Sequence, residues 1–252
     1  MLLAIDCGNT NIVFGLFDGD RLASRHRAPT PRGPVAGIVD GWLRQERIEA
    51  NSIDGAVLAT VVPVLRTPLV QMVAQQFGCA ALVVGEKGVA IGMDVRVDRP
   101  EEVGADRLVN AVAAREQFGS PVIVLDFGTA TTFDVVAANG DYRGGVIAPG
   151  VNLSLEALYH AAARLPEVRV AKPARVIGTD TVSAMQSGIY WGYIGLIEGI
   201  VGRIRDEMDA APKVVATGGL AHLYAQSTAV IEAVDADLTL HGLRLVWERN
   251  RG

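Results

Sequence analysis

Residues 123–130 read Ile123-Val124-Leu125-Asp126-Phe127-Gly128-Thr129-Ala130, and residues 3–10 read Leu3-Ala4-Ile5-Asp6-Cys7-Gly8-Asn9-Thr10. Each stretch is an apolar run ending on an aspartate, with a glycine two positions later and small polar residues after it. Asp6 matches Asp126 and Gly8 matches Gly128 at a constant offset of 120 residues. Each copy leads into a strand-like run and then a turn signal, Asp18-Gly19-Asp20 in the first and Asn139-Gly140-Asp141 in the second. A repeat of this length is far too long for a solenoid. It predicts two related domains facing each other, residues 1–118 and 119–252, with Gly119-Ser120-Pro121 breaking the chain between them. The last helix is assigned to the second domain, with packing back on the first left open.

Working outward, strand-like and helix-like segments alternate, which reads as α/β. Strands are expected at 2–5, 11–17, 21–27, 55–62, 81–84, 122–125 and 213–216. Helices are expected at 35–47, 67–77, 107–118, 151–165, 181–209 and 240–249. The last of these carries Leu243, Val246 and Trp247 as a packing stripe.

The repeated turn has chemistry to offer. Its glycine permits a tight turn and close approach of the backbone to a ligand. Successive turn N–H groups form an anion-binding nest, which Asn9, Thr10, Thr129 and Thr131 can supplement. An aspartate at a strand's end can hold a cation or its hydration water. One such turn alone is most often an ordinary hairpin; two in matched context suggest a grip on a polyphosphate from both sides. Competing nucleotide motifs are absent: there is no Walker A loop and no Gly-x-Gly-x-x-Gly. Nor is there a Gly-x-Ser-x-Gly nucleophile turn.

The second polar concentration is Gly104-Ala105-Asp106-Arg107, where a loop enters a helix. Asp106 can simply cap that helix, or it can act as a base on an acceptor hydroxyl. Arg107 can clamp a carboxylate with its planar fork. Thr217-Gly218-Gly219 reads either as a plain strand–helix turn or as a flat surface against a nucleoside. Asp180 or Thr181 can cap the long helix, and Thr181 can also reach a substrate.

Composition narrows the partners. The 252 residues hold 23 basic and 28 acidic side chains, for a net charge of −5. Only Lys87, Lys172 and Lys213 are lysines. That balance argues against a nucleic-acid partner relying on bulk positive potential. Anions must instead be met by arginines, backbone amides or metal ions. Half the residues are hydrophobic and mean hydropathy is +0.27, which excludes disorder. Cys7 and Cys79 fit a reducing, cytoplasmic compartment as small core residues. No secretory or membrane segment is visible, because the apolar stretch from Ile189 to Val201 contains Glu198 and is too short to span a bilayer. His26, His160, His222 and His241 lack metal-ligand spacing, so a structural zinc site is not expected.

Together these residues resemble a known family. Asp6-x-Gly8-Asn9-Thr10, Gly104-Ala105-Asp106-Arg107, Asp126-x-Gly128-Thr129-Ala130-Thr131, Gly144-Gly145-x-x-x-Pro149-Gly150 and Thr181-x-x-x-Met185-Gln186-Ser187-Gly188 stand in the order seen in type III pantothenate kinases. The wider group is the acetate and sugar kinase, Hsp70 and actin superfamily. The resemblance implies two duplicated ribonuclease H-like α/β domains with the active site in the cleft between them. It implies ATP-dependent phosphorylation of pantothenate at its terminal hydroxyl, the first step of coenzyme A biosynthesis. Carried over, Asp6, Cys7, Gly8, Asn9, Thr10, Asn11, Ile12, Val13 and Thr129 bind ATP. Gly104, Ala105, Asp106, Arg107 and Thr181 bind pantothenate, and Asp106 is the proton acceptor. Asp126 binds a monovalent cation, potassium or ammonium, and Mg2+ accompanies ATP. The family is typically a homodimer. Members often carry a tyrosine where this chain has Val97. A kinase of another small polyol or hydroxy acid, and a non-catalytic accessory protein on the same fold, are the alternatives.

Overall fold

A computed structural model describes residues 1–161 and 165–251. The chain divides into two compact units. The first comprises Met1–Asp94, Asp98–Glu116 and Leu238–Gly252; the second comprises Val95–Val97 and Gln117–Asp237. The C-terminal helix therefore groups with the first unit, although it follows the second in sequence.

In the first unit, β1 (Leu2–Cys7) is the central strand of a five-stranded sheet ordered β3-β2-β1-β4-β5. β2 (Asn11–Asp18) runs antiparallel to β1 and β3 (Arg21–Pro29) antiparallel to β2, while β4 (Gly55–Thr60) and β5 (Ala81–Val83) run parallel to β1. Strand alternation sends Leu3, Ile5 and Cys7 to one face. There they pack with Trp42 and Leu43 of α1 (Asp40–Glu46) and with Leu65, Leu69 and Val73 of α2 (Pro63–Phe77). Leu2 and Ala4 point to the other face, against Val109 and Val112 of α3 (Ala105–Phe118) and Leu243 and Val246 of α7 (Leu238–Arg249). Asp6 shares that second face by register.

In the second unit, β6 (Val122–Phe127) is central in a sheet ordered β10-β9-β6-β7-β8. β7 (Ala130–Val136) and β8 (Tyr142–Pro149) are antiparallel; β9 (Lys213–Gly218) and β10 (Ala233–Val234) are parallel. Position by position this is the topology of the first sheet, so the fold is duplicated. Ile123, Leu125 and Phe127 face Tyr190, Ile194 and Ile197 of α5 (Thr181–Asp206) and Tyr224 of α6 (Ala221–Ala225). The remaining helix, α4 (Val151–Ala161), packs on α5 and β7.

Some expected boundaries differ. The helix expected over 35–47 begins only at Asp40, because Gly37 adopts a left-handed φ of 75° in the preceding turn. The helix expected over 151–165 is seen as α4, and residues 162–164 lie outside the described residues. β8 and β10 add strands that the sequence reading did not assign.

Candidate active site

The first hairpin turn joins β1 to β2. Cys7 pairs with Ile12, and Gly8 N–H donates to Asn11 O at 3.0 Å. Asn9 and Thr10 are exposed at its tip, with Gly8 and Asn11 half-buried. Cys7 and Ile12 are fully buried, so only their backbones can serve a ligand. Burial pushes the Cys7 thiol above its ordinary value, against a hydrogen bond with Thr60. The turn is braced from β3's end: Thr30 Oγ1 donates to Gly8 O at 2.6 Å, and Thr30 N–H donates to Thr10 O at 3.0 Å.

Gly104, Ala105, Asp106 and Arg107 open α3. Gly104 O accepts the N–H groups of Arg107 (3.1 Å) and Leu108 (3.3 Å), closing the first helical turn. Asp106 lies inside that turn, so its carboxylate does not occupy the N-cap position. Its Oδ1 accepts the N–H of Arg107 at 2.8 Å. That oxygen sits 2.5 Å from where a Cβ on residue 104 would stand, so only glycine leaves room for the folded-back carboxylate. Burial raises the Asp106 carboxyl above the ordinary carboxylate range, while the N–H and guanidinium of Arg107 oppose the shift. Arg107 is half-buried rather than solvated.

The motif also lies beside the first hairpin. The same Cβ position on residue 104 is 3.7 Å from Val61 Cγ1, and Val61 N–H donates to Cys7 O at 3.1 Å. Asp6 and α3 thus share one face and one end of the first sheet.

In the second unit, Phe127 pairs with Thr131, and Gly128 N–H donates to Ala130 O at 3.0 Å. Gly128 and Thr129 are exposed. Thr131 is fully buried in β7, which corrects its expected place among the turn's polar side chains. Asp126 is half-buried and pairs with Thr132 and Thr217.

Two glycines press on this turn. A Cβ on Gly150 would overlap the Thr129 carbonyl, and one on Gly218 would fall 2.6 Å from both Asp126 Oδ1 and Phe127 O. Gly218 therefore shapes the surroundings of the Asp126 carboxylate. The sequence reading placed it only in a turn or a nucleoside surface. The signal available was its pairing with Phe127 on the adjacent strand, distant in sequence, which no local pattern carries.

The oxygens nearest a Cβ on Gly218 are thus one carboxylate oxygen of Asp126 and one carbonyl oxygen of Phe127. Among the described residues no cluster of three or more His, Cys, Asp or Glu could hold a metal.

Thr181 is the first residue of α5 and is exposed. The cap is Asp180, which accepts Ser183 N–H at 2.9 Å within a reciprocal capping box. Those hydrogen bonds hold its carboxyl below the usual range. Gln186 and Ser187 pin the preceding loop to α5, donating to Arg169 O at 3.1 Å and to Val176 O respectively. No helix among the described residues is long and apolar enough to cross a membrane.

Comparison with known proteins follows this geometry. Solved structures share the fold at low identity. One is the activator of 2-hydroxyisocaproyl-CoA dehydratase from Clostridium difficile, solved with ADPNP bound (TM-score 0.58, 10% identical, covering 99% of this chain and 97% of that one). Another is component A of (R)-2-hydroxyglutaryl-CoA dehydratase from Acidaminococcus fermentans (TM-score 0.52, 15% identical, covering 96% and 94%). Sequence relatives are much nearer. The type III pantothenate kinase of Paramagnetospirillum magneticum is 55% identical, over 99% of this chain and 98% of its own. That of Rhodospirillum rubrum is 51% identical, over 100% and 99%. The family profile for type III pantothenate kinases matches residues 2–203. The chain belongs to the type III pantothenate kinase family.

Proposed function

We propose that this protein transfers the γ-phosphoryl group of ATP to the terminal hydroxyl of pantothenate, with Asp106 as proton acceptor. The observation that carries the reading is Asp106 itself, a half-buried carboxylate in the first turn of α3, on the sheet face that also holds Asp6. A raised pKa makes an ionised carboxylate a better base for a hydroxyl proton. Phosphoryl transfer asks mostly for positioning and charge stabilisation, so no covalent nucleophile is needed.

In this reading residues 6–13 line the ATP phosphates, with the side chains of Asn9 and Thr10 and the Thr129 hydroxyl beside them. Cys7 and Ile12 contribute main chain only. Gly104, Ala105, Asp106 and Arg107 bind pantothenate, Arg107 meeting its carboxylate, and Thr181 adds a hydroxyl. Mg2+ arrives with ATP and screens its charge. Asp126 binds potassium or ammonium. This arrangement supplies positive potential locally in a chain of net charge −5. A homodimer is part of the same reading. Free Cys7 and Cys79 suit a cytoplasmic setting.

Asp106→Asn is the test. Pantothenate-dependent ADP release is expected to fall by roughly 10²–10⁴-fold with ATP affinity kept. Turnover near wild type would remove Asp106 from the role. The same variant has a pH signature. A carboxyl raised by folding favours the fold while protonated, and that contribution is lost as pH rises through its folded value. Asp106→Asn is therefore expected to melt higher than wild type at neutral pH. The gain shrinks as pH falls through the raised folded value toward the ordinary carboxylate value, and is gone below it.

A further inference from the structure

Three consecutive carbonyls in the loop after β5 are each taken by a distant side chain. Asn250 Nδ2 donates to Ala90 O at 2.9 Å, while its Oδ1 accepts Ala90 N–H at 2.8 Å. Arg249 donates to Ile91 O at 2.9 Å, and Arg115 donates to Gly92 O at 2.6 Å. The carboxamide of Asn250 thus pairs with Ala90 as a neighbouring strand would. Asn250 Nδ2 also donates to Val246 O at 2.7 Å, which fixes the amide against the end of α7. Gly92, at a φ of 78°, lies flat on Arg249: a Cβ there would fall 2.7 Å from its Cδ. Beneath, Val89, Ile91 and Met93 pack on the cluster that includes Val109 and Val112 of α3.

This clasp brackets the acceptor motif. Upstream, the strap runs from the clasped residues 90–92 through Val95–Val97 and returns at Asp98 to reach Gly104. Downstream, α3 carries Asp106 and Arg107 in its first turn and Arg115 and Glu116 near its end. Arg249 also bonds Glu116, at 3.3 Å. One set of hydrogen bonds therefore ties residues 90–92, upstream of residues 104–107, to Arg115 and Glu116, downstream of them, whereas the first hairpin turn is braced separately by Thr30.

We infer that Asn250, with Arg249 and Arg115, is a positioning residue that sets the pantothenate-binding motif and leaves the ATP turn alone. The inference rests on residues 104–107 being the pantothenate site.

The test compares Asn250→Ala with wild type in two ways. Steady-state kinetics should show the pantothenate KM rising about 5–30-fold, about what the two hydrogen bonds to Ala90 are worth, with the ATP KM within about twofold. Hydrogen exchange without substrate should quicken across residues 89–104 and stay unchanged across 2–18. Asn250→Asp keeps the acceptor for Ala90 N–H but loses the donor, and should fall between. Arg251→Ala, whose guanidinium sits 4.1 Å over the Trp247 ring, should leave both KM values unchanged. If Asn250→Ala does not fold, Arg115→Ala reads the same strap from α3. An unchanged pantothenate KM, or a rise in both KM values together, overturns the inference. Arg107→Ala run alongside separates the causes. If it raises the pantothenate KM and Asn250→Ala does not, the clasp alone is wrong. If it does not, the site reading falls and takes the inference with it.

Discussion

The two aspartate hairpins have the same strand topology and different supports. Both central strands send an apolar trio to their helices and an aspartate to the opposite face. Leu3, Ile5 and Cys7 correspond to Ile123, Leu125 and Phe127. The last pair shows what the difference allows. Cys7 is a small buried residue, while Phe127 stacks on Tyr224 with ring centroids 5.1 Å apart and planes 6° from parallel. The turns themselves differ by one residue, since Cys7 pairs with Ile12 but Phe127 with Thr131. The longer turn is braced by a hydroxyl and an amide of Thr30. The shorter one is pressed by Gly150 and Gly218. One turn is thus held by polar contacts, the other by close backbone packing against glycines.

Substitutions at the glycine contacts should have the largest effects. Gly150→Ala drives a methyl into the Thr129 carbonyl, so the backbone must move; overpacking of this kind costs about 1–3 kcal/mol or more. A large drop in melting temperature together with a raised ATP KM is expected. Wild-type values in both would show that the second turn is not held by this contact. Gly218→Ala comes next. Its φ of 87° is disfavoured for alanine by roughly 1–2 kcal/mol, and its methyl would press on Asp126 Oδ1. Potassium dependence of turnover should weaken more than ATP affinity does. A normal potassium titration would separate Gly218 from the proposed cation role of Asp126.

The duplication was legible in sequence because its signal is local. An apolar strand ending in Asp-x-Gly needs only neighbouring residues to be recognised, and the offset of 120 holds through the turn. Past the turn the structural equivalence slips to Phe14 with Phe133, because the second turn is shorter. The start of α3 at residues 104–107 was legible for the same local reason. What supports these features was not. Thr30 reaches Gly8 from the far end of β3, Gly218 reaches Asp126 from β9, and Asn250 reaches Ala90 from the other end of the chain. Thr131 was misread because its place after the turn depends on a one-residue difference in register.

The smallest effect sharpens the comparison most. Thr30→Val removes the hydroxyl that donates to Gly8 O but keeps shape, β-branching and the N–H that donates to Thr10 O. Loss of one such bond is worth about 1 kcal/mol, roughly a fivefold change in an equilibrium. If that bond only stabilises the fold, melting temperature drops and both substrates are bound as before. If it sets the turn that meets ATP, the ATP KM rises about fivefold while the pantothenate KM holds. That is the mirror image of the pattern expected for Asn250→Ala. Equal shifts in both constants would mean that the turn and the acceptor motif move as one body, linked through Val61 and Cys7. The separate bracing of the two sites would then have no functional consequence.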